Sequence, residues 1–174
     1  IIIGGQTWGQ NAPRLASHLN QEISAGQRST DQPFNLVLLG AASSQTVRET
    51  AQFVQAVPST KKSLQILDIS PGGFKRGQQI KTEYPQVSME FLPQDIRNPN
   101  LLPESADIIT GDYVFNFIPK SQLVTTLRTQ NKLLKPRGTI AIAFEAKGRG
   151  FSANLENFLR QPPTIEEIVA SFSQ

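Results

Sequence analysis

The sequence predicts an α/β protein with a doubly wound, mostly parallel sheet flanked by helices. Three observations carry that expectation. Short, nearly all-apolar runs alternate with longer amphipathic runs, as βαβ units require. The apolar runs are continuous rather than alternating, as strands buried on both faces should be. The third is Lys132-Leu133-Leu134-Lys135-Pro136-Arg137-Gly138-Thr139-Ile140-Ala141-Ile142. There Leu133 and Leu134 close an amphipathic run, Pro136 forbids further helix, and Gly138 is expected to permit a tight reversal into an apolar strand.

The elements follow in order. Residues 1–12 read as irregular. Pro13 opens a helix running to about Ala25, with Gly26 at its end. Residues 27–33 are polar and loop-like. Phe34 to Gly40 is the first strand, stopped by glycine, and Ser43 or Ser44 can cap a helix reaching about Val57. Leu64 to Asp68 is a second strand ending in an acid. Pro71-Gly72-Gly73 opens a helix that runs to Tyr84, where Pro85 ends it. Val87 to Leu92 and Ala106 to Thr110 read as the third and fourth strands, Pro119 to Leu134 as a long helix, and Thr139 to Glu145 as the fifth strand. Gly148 and Gly150 mark a loop before helical pieces near 154–159 and 164–172.

With 174 residues the chain suits one domain. Its organisation reads as an N-terminal segment and helix over 1–33 and the α/β domain over 34–174. The formal net charge is only +3. The pairs Lys61-Lys62 and Lys75-Arg76 read as a solvated face, so no nucleic-acid partner is expected. The absence of cysteine excludes disulfides, thiolate metal sites and cysteine nucleophiles, and no other metal-ligand spacing occurs. No apolar run reaches the ~18 residues of a membrane span, so no membrane association is expected. Ile1-Ile2-Ile3-Gly4-Gly5 lacks the basic region and long apolar stretch of a signal peptide, which makes the cytoplasm the default compartment. The chain does not begin with Met, and we read it as a processed form or a piece of a longer protein with neighbouring domains.

In a doubly wound sheet, ligands bind beyond the carboxyl ends of the strands, beside the first strand. The residues that matter are therefore Gly40 to Ser44, Asp68 to Pro71, Pro93 to Ile96 and Gly111 to Tyr113. A carboxylate at Asp68 can accept hydrogen bonds from both hydroxyls of a ribose, or it can bond the next helix terminus. Asp95 can accept from an exocyclic adenine amine while Ile96 covers a ring face, or it can make a local turn. Asp107 begins its strand and reads as structural. Gly111 would let backbone approach a ligand closely.

Taken together, residues 34–145 resemble a class I S-adenosylmethionine-dependent methyltransferase in the order and spacing of several segments. These are the strand-glycine turn Leu39-Gly40, Asp68-Ile69-Ser70-Pro71, Gln94-Asp95-Ile96, Ser105-Ala106-Asp107-Ile108-Ile109, and Phe115-Asn116-Phe117-Ile118-Pro119 leading to the Leu-Lys-Pro-Arg-Gly turn. The resemblance implies a Rossmann-like fold and S-adenosylmethionine as cofactor. It implies that Asp68, with Ile69, holds the ribose and that Asp95 and Ile96 hold the adenine. It also implies that Gly40, Ala41 and Ala42, with the backbone near Thr110 and Gly111, flank the methionine part. The family usually adds two further strands, the last antiparallel, after a segment such as Thr139 to Glu145; they are not legible here.

The first motif departs from the family's acidic residue and Gly-x-Gly-x-Gly. Leu38 stands near the expected acid, and Ala42 and Ser44 stand where glycines belong. Two Cβ atoms would narrow the approach to the cofactor, and Leu38 cannot help hold its ammonium. After the fourth strand comes Gly111-Asp112-Tyr113-Val114, not the Asn/Asp-Pro-Pro-aromatic tetrapeptide of many amino-directed methyltransferases, which leans toward a small-molecule acceptor. Methyl transfer needs alignment and desolvation more than acid-base help, so no catalytic residue is assigned. His18 reads as a helix-surface residue and Trp8 as a packing residue. Two alternatives remain: a catalytically silent methyltransferase-like scaffold, and a nicotinamide-binding domain. The latter needs a G-x-G-x-x-G turn, which Gly40-Ala41-Ala42-Ser43-Ser44-Gln45 does not supply.

Overall fold

The computed structural model describes residues 2–4, 8–41 and 43–143. In chain order the strands are β1 (Ile2–Gly4), β2 (Phe34–Leu39), β3 (Lys62–Leu67), β4 (Ser88–Leu92), β5 (Ala106–Asp112) and β6 (Leu134–Ala143). The helices are α1 (Trp8–Ser24), α2 (Ser44–Ala56), α3 (Pro71–Lys81) and α4 (Lys120–Leu133), with a short 3-10 turn over Val114–Phe117. The strands form one sheet in the order β1-β6-β5-β2-β3-β4, and each adjacent pair is parallel. The strand order reverses at β2, which lies between β3 and β5; this is the switch point.

Strand residues alternate between two cores. Leu36, Leu38, Leu64, Ile66 and Ile108 face one side, where Trp8 and Leu15 of α1, Val47 and Val54 of α2 and Ile80 of α3 cover them. Val37, Leu39, Leu67, Ile109 and Ile140 face the other, under Leu123, Leu127 and Leu133 of α4. The period of two, with both sets apolar, explains why these strands read as continuous hydrophobic runs.

The structure corrects several expectations. Residues 1–12 are not irregular throughout. β1 pairs with β6 in the register Ile2↔Ala141, and α1 begins at Trp8, so Pro13 lies inside the helix. A three-residue strand has no periodicity to betray it, and its partner is distant in sequence. α3 stops at Lys81, before Tyr84, and β5 continues past Thr110 to Asp112. Strand β6 begins at Leu134 rather than Thr139, and the left-handed position within it is Arg137, with φ +69°, not Gly138. Gly138 is needed for space instead: a Cβ there would lie 2.9 Å from the Lys135 carbonyl oxygen and 3.1 Å from that of Ala106. The expectations for Phe144 and Glu145, for the loop at Gly148 and Gly150, for the later helical pieces and for the missing strands lie outside the described residues.

At the amino ends of the strands Asp107 is a buried staple. Its carboxylate accepts from Arg28 Nη1 at 2.9 Å, Lys135 Nζ at 2.7 Å and the Asn35 N–H at 2.8 Å. The donors come from the loop after α1, the start of β6 and β2. All three of these donors belong to the fold, which suits a structural role.

Gly77 sets how closely α3 lies on β4. A Cβ built there would sit 1.6 Å from Phe91 Cε1, so the ring occupies the space a side chain would need. Gly77→Ala is expected to destabilise the protein by about 1–3 kcal/mol despite alanine's better helix propensity, because overpacking forces the ring or the helix aside. Combining it with Phe91→Leu should cost less than the two single changes added together. Urea unfolding of the three variants reads this directly; strict additivity would show that Gly77 and Phe91 do not share that space.

Candidate functional site

The carboxyl ends of β2, β3, β4 and β5 bring the sequence-predicted residues to one edge of the sheet. Gly40 ends β2 with φ +78°, and its N–H donates to the Leu67 carbonyl at 2.7 Å. Only glycine takes that conformation without strain. Ala41 is fully buried beneath the turn, and Ser43 caps α2 by accepting the Thr46 N–H at 3.0 Å. Ala42, expected to flank the cofactor, lies outside the described residues.

Asp68 follows β3 and is partly buried. Its Oδ2 accepts the Ala41 N–H at 2.7 Å, and its Oδ1 accepts the Ser70 N–H at 2.7 Å. Both readings of this residue therefore meet at one carboxylate: it bonds the entry of the next helix, and it does so at the switch point. The contact is possible because Gly73 has no side chain; a Cβ there would be 2.4 Å from Asp68 Oδ2. The carboxylate also lies against the amino end of α3, where the helix dipole favours negative charge. An ionised carboxylate has about four acceptor positions, so among the described residues two remain without a donor on Asp68. Ile69, beside it, is 72% exposed.

Asp95 and Ile96 separate. Asp95 stays at the surface after β4, and Arg97 donates to both its oxygens through Nε at 2.9 Å. Its carboxyl is held below the usual range, first by the side-chain bonds from Arg97 and then by the Arg97 N–H. Ile96 turns inward: it is buried in the core under α4, and its carbonyl accepts from Gln130 Nε2. Gly111, near the end of β5, is buried; a Cβ there would meet Val114 Cγ1 at 2.9 Å and the Leu39 carbonyl oxygen at 3.0 Å. Its small size lets the ends of β5 and β2 close together.

Sequence reasoning missed two cations. Arg76 of α3 donates from Nη2 to the Ala41 carbonyl at 2.8 Å, so both polar backbone groups of Ala41 are satisfied within the protein. Nothing local in the sequence signals a contact between α3 and the first turn. Arg97 did carry a signal: an Asp followed two residues later by a donor is an Asx-turn pattern. Trp8 is buried and packs edge-on against Phe53 with ring centroids 5.1 Å apart, which matches its packing reading. His18 lies near Glu22 with Nε2 3.6 Å from Oε1, on the helix surface as expected.

These residues fit part of the implied cofactor. Asp68 has free acceptor positions and an exposed aliphatic neighbour, which suits a ribose and the edge of a purine. Asp95 is committed to Arg97. The turn after β2 offers no free polar group at Ala41, where its N–H and carbonyl are already bonded.

Asp112, at the end of β5, accepts the Trp8 N–H at 2.7 Å and so pins the start of α1. Burial pushes its carboxyl up, the Trp8 N–H opposes this, and the charge of Glu49 pushes it further up. The folded protein thus binds this proton more tightly than the unfolded chain. Stability from this group is greatest below the ordinary aspartate range, about pH 4, and falls as pH rises through the higher folded value. Asp112→Asn keeps an acceptor for Trp8 without the charge. It is expected to melt above the wild type near pH 7, with the gap closing toward pH 4. Melting curves across that range check it; a gap independent of pH would mean that charge is not the cause.

No family model matches this sequence, and no curated protein matches it. Solved structures do match its fold. The DszA carbon methyltransferase aligns over 92% of this chain and 38% of its own, with 16% identity and a TM-score of 0.62. The CMeT domain of the citrinin polyketide synthase aligns over 75% of this chain and 34% of its own, with 18% identity and a TM-score of 0.56. Phosphoethanolamine N-methyltransferase 1 of Haemonchus contortus, solved with phosphoethanolamine and S-adenosylhomocysteine, aligns over 75% and 26%, with 11% identity and a TM-score of 0.54. The chain spans less than two thirds of the length of each. At these identities the likeness shows the architecture: this chain has the Rossmann-like α/β fold of class I S-adenosylmethionine-dependent methyltransferases.

Proposed function

We propose that this protein is an S-adenosylmethionine-dependent methyltransferase acting on a small molecule. One observation carries the reading. At the switch point, Asp68 is an ionisable group whose donors among the described residues are backbone N–H groups, with acceptor positions left for a ribose. The matching structures support it, since they are methyltransferases and one holds S-adenosylhomocysteine.

When bound, the cofactor supplies a methyl group on a sulfonium that a nucleophile can attack in line. What this chain contributes is placement. Asp68 would hold the ribose hydroxyls, Ile69 would cover the base, and Gly40 and Gly111 set the close approach of the β2 and β5 ends. Beside them, Tyr113 is 38% exposed and Phe117 is 84% exposed, and both follow β5. Aromatic surface there suits a largely apolar acceptor and helps exclude water from it. Because the CMeT match is itself a synthase domain, neighbouring domains in a longer chain fit this reading.

A catalytically silent methyltransferase-like scaffold is the second reading. Two contacts favour it: Arg76 on the Ala41 carbonyl and Arg97 on Asp95, which both engage groups a cofactor would otherwise use.

Calorimetric titration with S-adenosylhomocysteine separates the two. Micromolar binding is expected, weakened about tenfold or more in Asp68→Ala, since hydrogen bonds to a charged group are worth about 1.5–3 kcal/mol each. Circular dichroism of the variant verifies that it remains folded. Absence of binding by the intact protein at millimolar ligand would leave the scaffold reading.

A further inference from the structure

Asp95 receives an unusual number of donors from one residue. Arg97 donates its backbone N–H and its Nε to Oδ1, both at 2.9 Å. It donates Nε at 2.9 Å and Nη2 at 2.5 Å to Oδ2. These bonds take up the acceptor positions of an ionised carboxylate. The guanidinium is steadied from behind, because its Nη1 donates to Gln122 Oε1 of α4 at 3.0 Å. The backbone between the two residues is steadied as well, by Gln130 of α4 bonding the Ile96 carbonyl.

Resting on the methyltransferase reading above, we propose that Arg97 is an internal competitor for the base of the cofactor. In the ligand-free protein its guanidinium occupies the carboxylate that would accept the exocyclic amine of adenine, and base recognition requires Arg97 to swing away. The pair is built to open. The Arg97 side chain is 45% exposed and that of Asp95 38%, so water can replace each partner at little cost. The Arg97 N–H stays on Oδ1 when the side chain leaves, which keeps the carboxylate aimed while freeing acceptor positions for the amine. Arg97 is thus a specificity-determining residue that acts through Asp95.

The test uses two ligands that differ only at the base edge: S-adenosylhomocysteine, with an amine at the purine 6-position, and S-inosylhomocysteine, with an oxygen there. Each is titrated calorimetrically into wild type, Arg97→Ala and Arg97→Lys. Arg97→Ala should bind the adenosyl ligand about two- to fivefold more tightly than wild type does, the scale of one exposed ion pair. The inosyl ligand should gain less, because its 6-oxygen repels the freed carboxylate and only its N1–H can donate, and Arg97→Lys should fall between. Equal affinity of wild type and Arg97→Ala for the adenosyl ligand would overturn the competitor role, as would equal gains for both ligands. Wild-type binding that depends on Asp68 but ignores Arg97 would remove this inference and leave the methyltransferase reading standing. No binding of either ligand to any of the three proteins would remove both.

Discussion

The carboxylate of Asp68 ties together the parts of this fold on which any function depends. It spans the turn after β2 and the entry to α3 by accepting N–H groups from Ala41 and Ser70. The bond needs the absent side chain at Gly73 and benefits from the amino end of α3. Its donors are backbone amides, and among the described residues no cation pairs with it. A partly buried carboxylate held this way is a structural clasp whose open acceptor positions suit the proposed ribose contact.

Asp107 shows the contrast. It too belongs to a strand end, but at the opposite edge of the sheet, and its partners include the side-chain cations Arg28 and Lys135. Its charge is paired there with two cations. The two aspartates mark opposite ends of the strands, and the proposed site lies at the carboxyl ends, where ligands gather in open α/β sheets. Closeness there is set by Gly40 and Gly111, where a positive φ and a lack of room exclude larger residues.

Much of this was legible in the sequence. β2 through β5 announce themselves because both faces are buried, leaving short uninterrupted apolar runs, and their order with the intervening helices specifies the doubly wound sheet. The position of Asp68 follows from its place at a strand end. What was hidden depends on contacts distant in sequence. β1 exists because β6 offers an edge, and α1 starts at Trp8 because Asp112 caps it across the molecule. Arg76 reaches Ala41 through the packing of α3, which no local pattern encodes. Arg137 takes the left-handed conformation expected of its glycine neighbour, while the small size of Gly138 is used against two carbonyl oxygens. The inward turn of Ile96 follows from the apolar space under α4, which competes with any role on a ligand's ring.

The most direct test of the account is a crystal structure of this protein grown with S-adenosylhomocysteine. The account predicts the ribose hydroxyls within hydrogen-bonding distance of the Asp68 carboxylate, with the Ala41 and Ser70 bonds retained. A nucleoside bound away from Asp68, or Asp68 bonded only to its own backbone while ligand sits elsewhere, would contradict it.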